Sequence, residues 1–131
     1  MAIGVTDIGN IIYRDCKPFG IEIFQKGNIP KGELKKDRIV IIPKAQVPLK
    51  YWNESFVEVN ICTLNLKNGM ANLIRLQELE HQAREVLKSS VGEYNGCKYR
   101  YKIDSIGIEE DTELRCHYVN VTLNFETLNV K

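Results

Sequence analysis

The sequence predicts an α+β fold: one domain over residues 1–131, a single mostly antiparallel five-stranded sheet with two helices packed on one face, in the order α-β-β-β-α-β-β. Three observations carry this expectation. Across Trp52–Leu64, Val57, Val59, Ile61 and Thr63 alternate with Glu58 and Asn60, the period of two that a half-buried strand requires. Through residues 71–90, Leu73, Leu76, Leu79, Ala83, Val86 and Leu87 recur at spacings of three and four, an amphipathic helix of roughly 30 Å. Residues 114–125 alternate again, with Val119, Val121, Leu123 and Phe125 on one face and Tyr118, Asn120, Thr122 and Asn124 on the other.

The remaining elements follow from local chemistry. Residues 5–16 read as a first helix, with Thr6 or Asp7 as its cap, Ile8, Ile11, Ile12 and Cys16 on one face, and Pro18 and Gly20 as its stop. Residues 19–25 alternate as a strand. Residues 27–37, with two glycines, a proline and several lysines, form a flexible loop, and residues 38–42 form a β-branched strand closed by Pro43. A second loop spans residues 44–52. After the turn at 65–70 and the long helix, Tyr99, Tyr101 and Ile103 alternate with Arg100, Lys102 and Asp104 in a strand that extends through Ile108; an acidic turn, Glu109, Glu110 and Asp111, leads to the last strand and a tail over 126–131. Antiparallel pairing across that turn is the simplest connection.

Bulk properties narrow the function. With 44% hydrophobic and 27% charged residues the chain can build a core without staples, and a net charge of +1 provides no global field toward nucleic acid or membrane. No apolar run approaches the length of a membrane span. The N-terminal MAIGVTDIGN lacks the pattern of a secretion signal, so Cys16, Cys62, Cys97 and Cys116 are expected as free, mostly buried thiols.

No catalytic constellation emerges. A zinc site of Cys62, Cys97, Cys116 and His117 matches no common ligand spacing, and adjacent Cys116 and His117 point to opposite faces of a strand. Cys116 or Ser105 with His117 or His81 lacks a third orienting group and a nucleophile elbow. Glu109, Glu110, Asp111 and Glu113 are adjacent acids at a turn, which are normally solvated and lack the alternating ligands of a calcium loop. The glycines form no phosphate-binding motif. The expectation is therefore no enzyme, no cofactor and no metal. Lysines concentrate in residues 26–50, but the tyrosines and basic residues of 99–102 fall on opposite faces, unlike an RNA-stacking sheet. The residues that stand out are apolar or basic side chains on irregular segments: Ile29, Lys31, Leu34, Lys35 and Lys36 in the first loop, and Val47, Leu49, Tyr51 and Trp52 in the second. Such groups either fold back on the core or insert into a neighbour, and Tyr and Trp are types that anchor interfaces.

Several strings then converge: IEIFQKGNIPKGELKKDRIVIIP, YWNESFVEVNICT, the helix ANLIRLQELEHQAREVL and the closing HYVNVTLNF. With the short first helix they make the chain, over residues 5–128, resemble the tail-terminator (tail-completion) proteins of long-tailed bacteriophages and prophages. That resemblance implies a non-enzymatic virion protein that forms a ring, usually a hexamer, on the head-proximal end of the tail tube. Such a ring stops tube growth, docks on the head–tail connector protein and lets DNA pass without sequence-specific binding, with no membrane contact. Its tail and neck location follows assembly in the bacterial host cytoplasm. A head–tail connector or neck protein of the same machine, or a standalone bacterial protein-binding module, are the alternatives.

Overall fold

The computed structural model describes residues 2–128. Helix α1 (Val5–Asp15) starts at Gly4, whose N–H donates to Asp7 Oδ2 at 2.8 Å. Asp7 therefore works from the third helical position, reaching back, and not as the cap itself. A 3-10 turn, Lys17–Phe19, ends on Gly20 at φ 68, a left-handed conformation that costs glycine nothing. This turn delays the first strand, β1, to Glu22–Gln25. Then come β2 (Arg38–Pro43), a two-residue β3 (Val47–Pro48), β4 (Trp52–Leu64), α2 (Leu73–Val86), β5 (Ser90–Tyr94), β6 (Cys97–Asp111) and β7 (Cys116–Leu128). Asn129 to Lys131, in the tail, lie outside the described residues.

The expected five-stranded, mostly antiparallel sheet is overturned. The strands form one seven-stranded mixed sheet, ordered β1-β2-β4-β7-β6-β5 with β3 beside β4, curled into a half-barrel; 46% of the described residues are in strands. Three physical causes account for the difference. First, β1 pairs with β2 in parallel, Glu22 against Arg38 through Gln25 against Ile41. The connection, residues 26–37, is long enough for the crossover that parallel pairing needs. Second, the helix expected to reach Ser90 stops at Val86, and Ser90–Tyr94 pairs antiparallel with the start of β6. The turn between them is Asn95-Gly96, at φ 51 and 82, the two-residue turn whose positive φ values suit the twist of a hairpin. Third, Val47–Pro48 pairs with Asn53 and Glu54, so part of the second loop is sheet.

Both helices cover the same face. Ile8, Ile11 and Ile12 of α1, Leu76, Leu79 and Ala83 of α2 and Leu87 just after it share one cluster with Ile39, Ile41, Val57, Val59, Ile61, Val119, Val121, Leu123 and Phe125. Leu73, placed by periodicity in the helix stripe, is instead exposed at the first turn of α2. Asn72 caps that turn, accepting from Arg75 N at 3.2 Å. A bulge lies between Ile103 and Ser105: Ile103 faces Leu123 and Ser105 faces Thr122, leaving Asp104 as an extra residue. Inward residues are odd-numbered before it (Tyr99, Tyr101, Ile103) and even-numbered after it (Ile106, Ile108), which returns Ile106 to the core, while Ile108, on the same face, is 44% exposed beyond it.

Candidate assembly surface

The face opposite the helices carries a hydrogen-bonded polar ladder. Asn120 Nδ2 donates to Asn60 Oδ1 at 2.7 Å and to Glu58 Oε1 at 3.2 Å, and Asn124 Nδ2 donates to Glu54 Oε2 at 3.1 Å. Lys44 Nζ lies 3.0 Å from Glu58 Oε2. The bond from Lys44, with that from Asn120, holds the Glu58 carboxyl below the usual carboxylate range. These bonds tie β4 to β7 across the polar face, while the Asn124 Oδ1 atom is buried with no hydrogen-bond partner among the described residues.

The second loop is anchored at its root and apolar at its tip. Ser55 Oγ donates to the Lys44 carbonyl at 2.8 Å, and the Gln46 amide donates to the Ile3 carbonyl at 2.9 Å. Beyond these anchors Val47 is 54% exposed and Tyr51 is 66% exposed, with Leu49 similarly open. Trp52 is half-buried beneath Arg100, whose guanidinium lies 4.0 Å from the ring centroid and whose Nε donates to Glu126 at 3.0 Å. Trp52 therefore closes the sheet end, while Val47, Leu49 and Tyr51 face outward.

The first loop divides differently. Leu34 is only 6% exposed and packs with Cys62 and Cys116, flanked by Leu64, Leu114 and Tyr118, in a second small cluster on the polar side of the sheet. It pins the loop down. Ile29, Lys31, Lys35 and Lys36 remain exposed, with Lys36 Nζ 3.6 Å from Glu22. The two loops do not converge. The second lies at the end of the sheet where Trp52 meets Leu128, and residues 32–34 lie at the other end, where Leu64 meets Cys116. There, loop 32–34, turn 64–69 and hairpin tip 112–115 line a groove of about 940 Å³.

This far end carries apolar groups that sequence reasoning missed. Leu66, Met70, Leu73 and Ile74 are all exposed, Ile74 at 77%. Helical periodicity places Leu73 in the core stripe and leaves Ile74, one position on, outside it; the signal is the run of large apolar residues in the first helical turn, which one stripe cannot bury.

The groups considered for chemistry are dispersed. Cys16, Cys62, Cys97 and Cys116 are buried free thiols. Burial pushes Cys16 up to about 12, and a hydrogen bond with Cys116, followed by burial, raises Cys62 strongly. His117 Nδ1 sits 2.7 Å from Asn65 Oδ1, and His81 is exposed on α2. Asp111 Oδ1 accepts from Leu114 N at 3.0 Å, closing the hairpin tip, while Glu109, Glu110 and Glu113 are solvated. Among the described residues no three His, Cys, Asp or Glu side chains are placed to hold a metal ion, and no helix is long and apolar enough to cross a membrane. No protein-family profile matches the chain, and no curated protein matches it.

Proposed function

We propose that the chain is a non-enzymatic, ring-forming tail terminator of a long-tailed bacteriophage. It caps the tail tube and offers a docking surface to the head–tail connector, in a hexameric ring through which DNA passes. One observation supports this above the others: exposed apolar side chains flank the sheet at both of its ends, Val47, Leu49 and Tyr51 at one and Leu66, Met70 and Ile74 at the other. A subunit placed between two different structures in a stack needs two such surfaces, and a closed ring leaves no further site for addition of like subunits. The resemblance of the strand and helix strings to tail terminators points the same way.

Electron microscopy of the purified protein, alone and mixed with tail tubes, tests the proposal. The expected result is a ring at one end of each tube. A chain that stays monomeric in both preparations would refute it. Rings that bind isolated connectors and ignore tubes would favour the neck reading.

A further inference from the structure

β6 is longer than the strand that flanks it. β5 pairs only with residues 97–101, whereas β7 pairs along the other side as far as Asp111. Along residues 102–111, alternate residues therefore turn their N–H and C=O groups to an open edge, and among the described residues no strand pairs there. The bulge at Asp104 interrupts the start of this edge. Beyond it, Ser105-Ile106-Gly107-Ile108 is uncharged, Ile108 is 44% exposed, and the place a side chain would occupy at Gly107 is empty space. The edge then ends in Glu109, Glu110 and Asp111.

The opposite edge of the sheet is β1, which pairs only with β2 among the described residues. Its surroundings are net basic, three lysines against the strand's own acid, Glu22. Lys26 follows it directly, Lys36 reaches back to Glu22, and exposed Lys35 lies beside Lys36 in the chain. One sheet thus ends in an acidic open edge and a basic open edge.

We infer, on the ring-forming reading above, that the β6 edge at residues 105–111 receives the β1 edge of a second copy of this chain, extending the sheet from subunit to subunit. Main-chain hydrogen bonds supply the contact, and the opposite charges set its direction. Pairing of two β6 edges with each other is disfavoured: antiparallel about Gly107, it would set Asp104 of one copy against Glu110 of the other. A contact between unlike edges is head-to-tail: it closes as a ring where the rotation from copy to copy divides a full turn and runs on as a filament where it does not, and the ring-forming reading selects the first.

Charge reversal on the full chain tests this. Glu109→Lys with Glu110→Lys makes the β6 edge basic; Lys26→Glu with Lys35→Glu and Lys36→Glu makes the β1 edge acidic. All of these side chains are exposed, so far-UV circular dichroism and melting should match the wild type. Native mass spectrometry and sedimentation then read assembly. Each variant alone should need a concentration more than about tenfold higher to assemble, because like-charge juxtaposition penalises the contact. Their equimolar mixture should form rings in which the two variants alternate, since each repairs the other's mismatch. If both variants assemble at the wild-type concentration, or if the mixture assembles no better than either alone, the two edges are not the interface, while a wild-type ring would still stand. A wild type that is monomeric at every concentration, with and without tubes, removes both the edge contact and the ring.

Discussion

Replacing Tyr51 by aspartate separates folding from assembly at the loop tip. Tyr51 is 66% exposed, and Lys50 Nζ lies 5.3 Å from its ring centroid. Its removal takes little from the folded monomer, and surface changes of this kind stay within about 0.5 kcal/mol. If a partner covers it, roughly two-thirds of an aromatic side chain of about 200 Å² leaves water, or about 130 Å². At roughly 25 cal/mol per Å² that is about 3 kcal/mol, more than a hundredfold in affinity. The assay is paired: urea unfolding for the monomer, and sedimentation against concentration for the ring. Tyr51→Asp should leave the urea midpoint unchanged and weaken assembly by two orders of magnitude or more. Leu34→Asp is the control. It places an unpaired carboxylate against Cys62 and Cys116 in a nearly closed cluster and should destabilise the monomer by about 3 kcal/mol. The reasoning is refuted if Tyr51→Asp lowers the urea midpoint as Leu34→Asp does, or if it leaves assembly at the wild-type concentration.

Other expectations concern the fold. Phe125 is fully buried, its ring stacked 5.3 Å from Tyr99 and 5.6 Å from Tyr101, so Phe125→Ala should cost about 3–5 kcal/mol by denaturant titration. Gly92 faces Tyr99, and a Cβ there would fall 2.6 Å from Tyr99 Cζ; Gly92→Ala should lower stability by about 1–3 kcal/mol and weaken the bond from Arg14 Nη2 to Tyr99 Oη. Glu58 has a folded pKa below its unfolded value, so its contribution is present above the unfolded carboxylate value of about 4.3 and is lost as pH falls through the lower folded value. Glu58→Gln should accordingly flatten the acid limb of stability measured between neutral pH and pH 3. A thiol reagent should find all four cysteines unreactive until the protein is unfolded; rapid labelling of Cys16 in native buffer would contradict its burial.

Much of this was legible in residue order, and what was not has specific physical causes. β4 and β7 declare themselves because each has one covered and one solvated face, so hydrophobicity alternates. β5 was hidden by its neighbour: Leu87 is buried just beyond the last turn of α2, so the helical spacing of apolar residues runs past the end of the helix and masks the hairpin signal of Asn95-Gly96. The parallel pairing of β1 with β2 is a long-range choice that no local pattern encodes. In the candidate surface, Val47, Leu49 and Tyr51 were readable as large apolar groups on a lysine-bearing loop. Leu34 has the same local setting, yet its fate is decided by Cys62 and Cys116 on two distant strands.

The bulge in β6 gives the strand a spare residue. Elsewhere along it, dropping one position would turn every side chain beyond the cut to the wrong face, driving isoleucines into water and charges into the core. At Asp104 the opposite holds. Without it, Ile103 still meets Leu123 and Ser105 still meets Thr122, and alternation through Ile106 and Ile108 continues unbroken. A chain lacking Asp104 should therefore fold with its core intact and lose chiefly the local bend. Length variation by a single residue can enter this strand without scrambling the sheet at that point, and it would alter the curvature of the half-barrel in the same step.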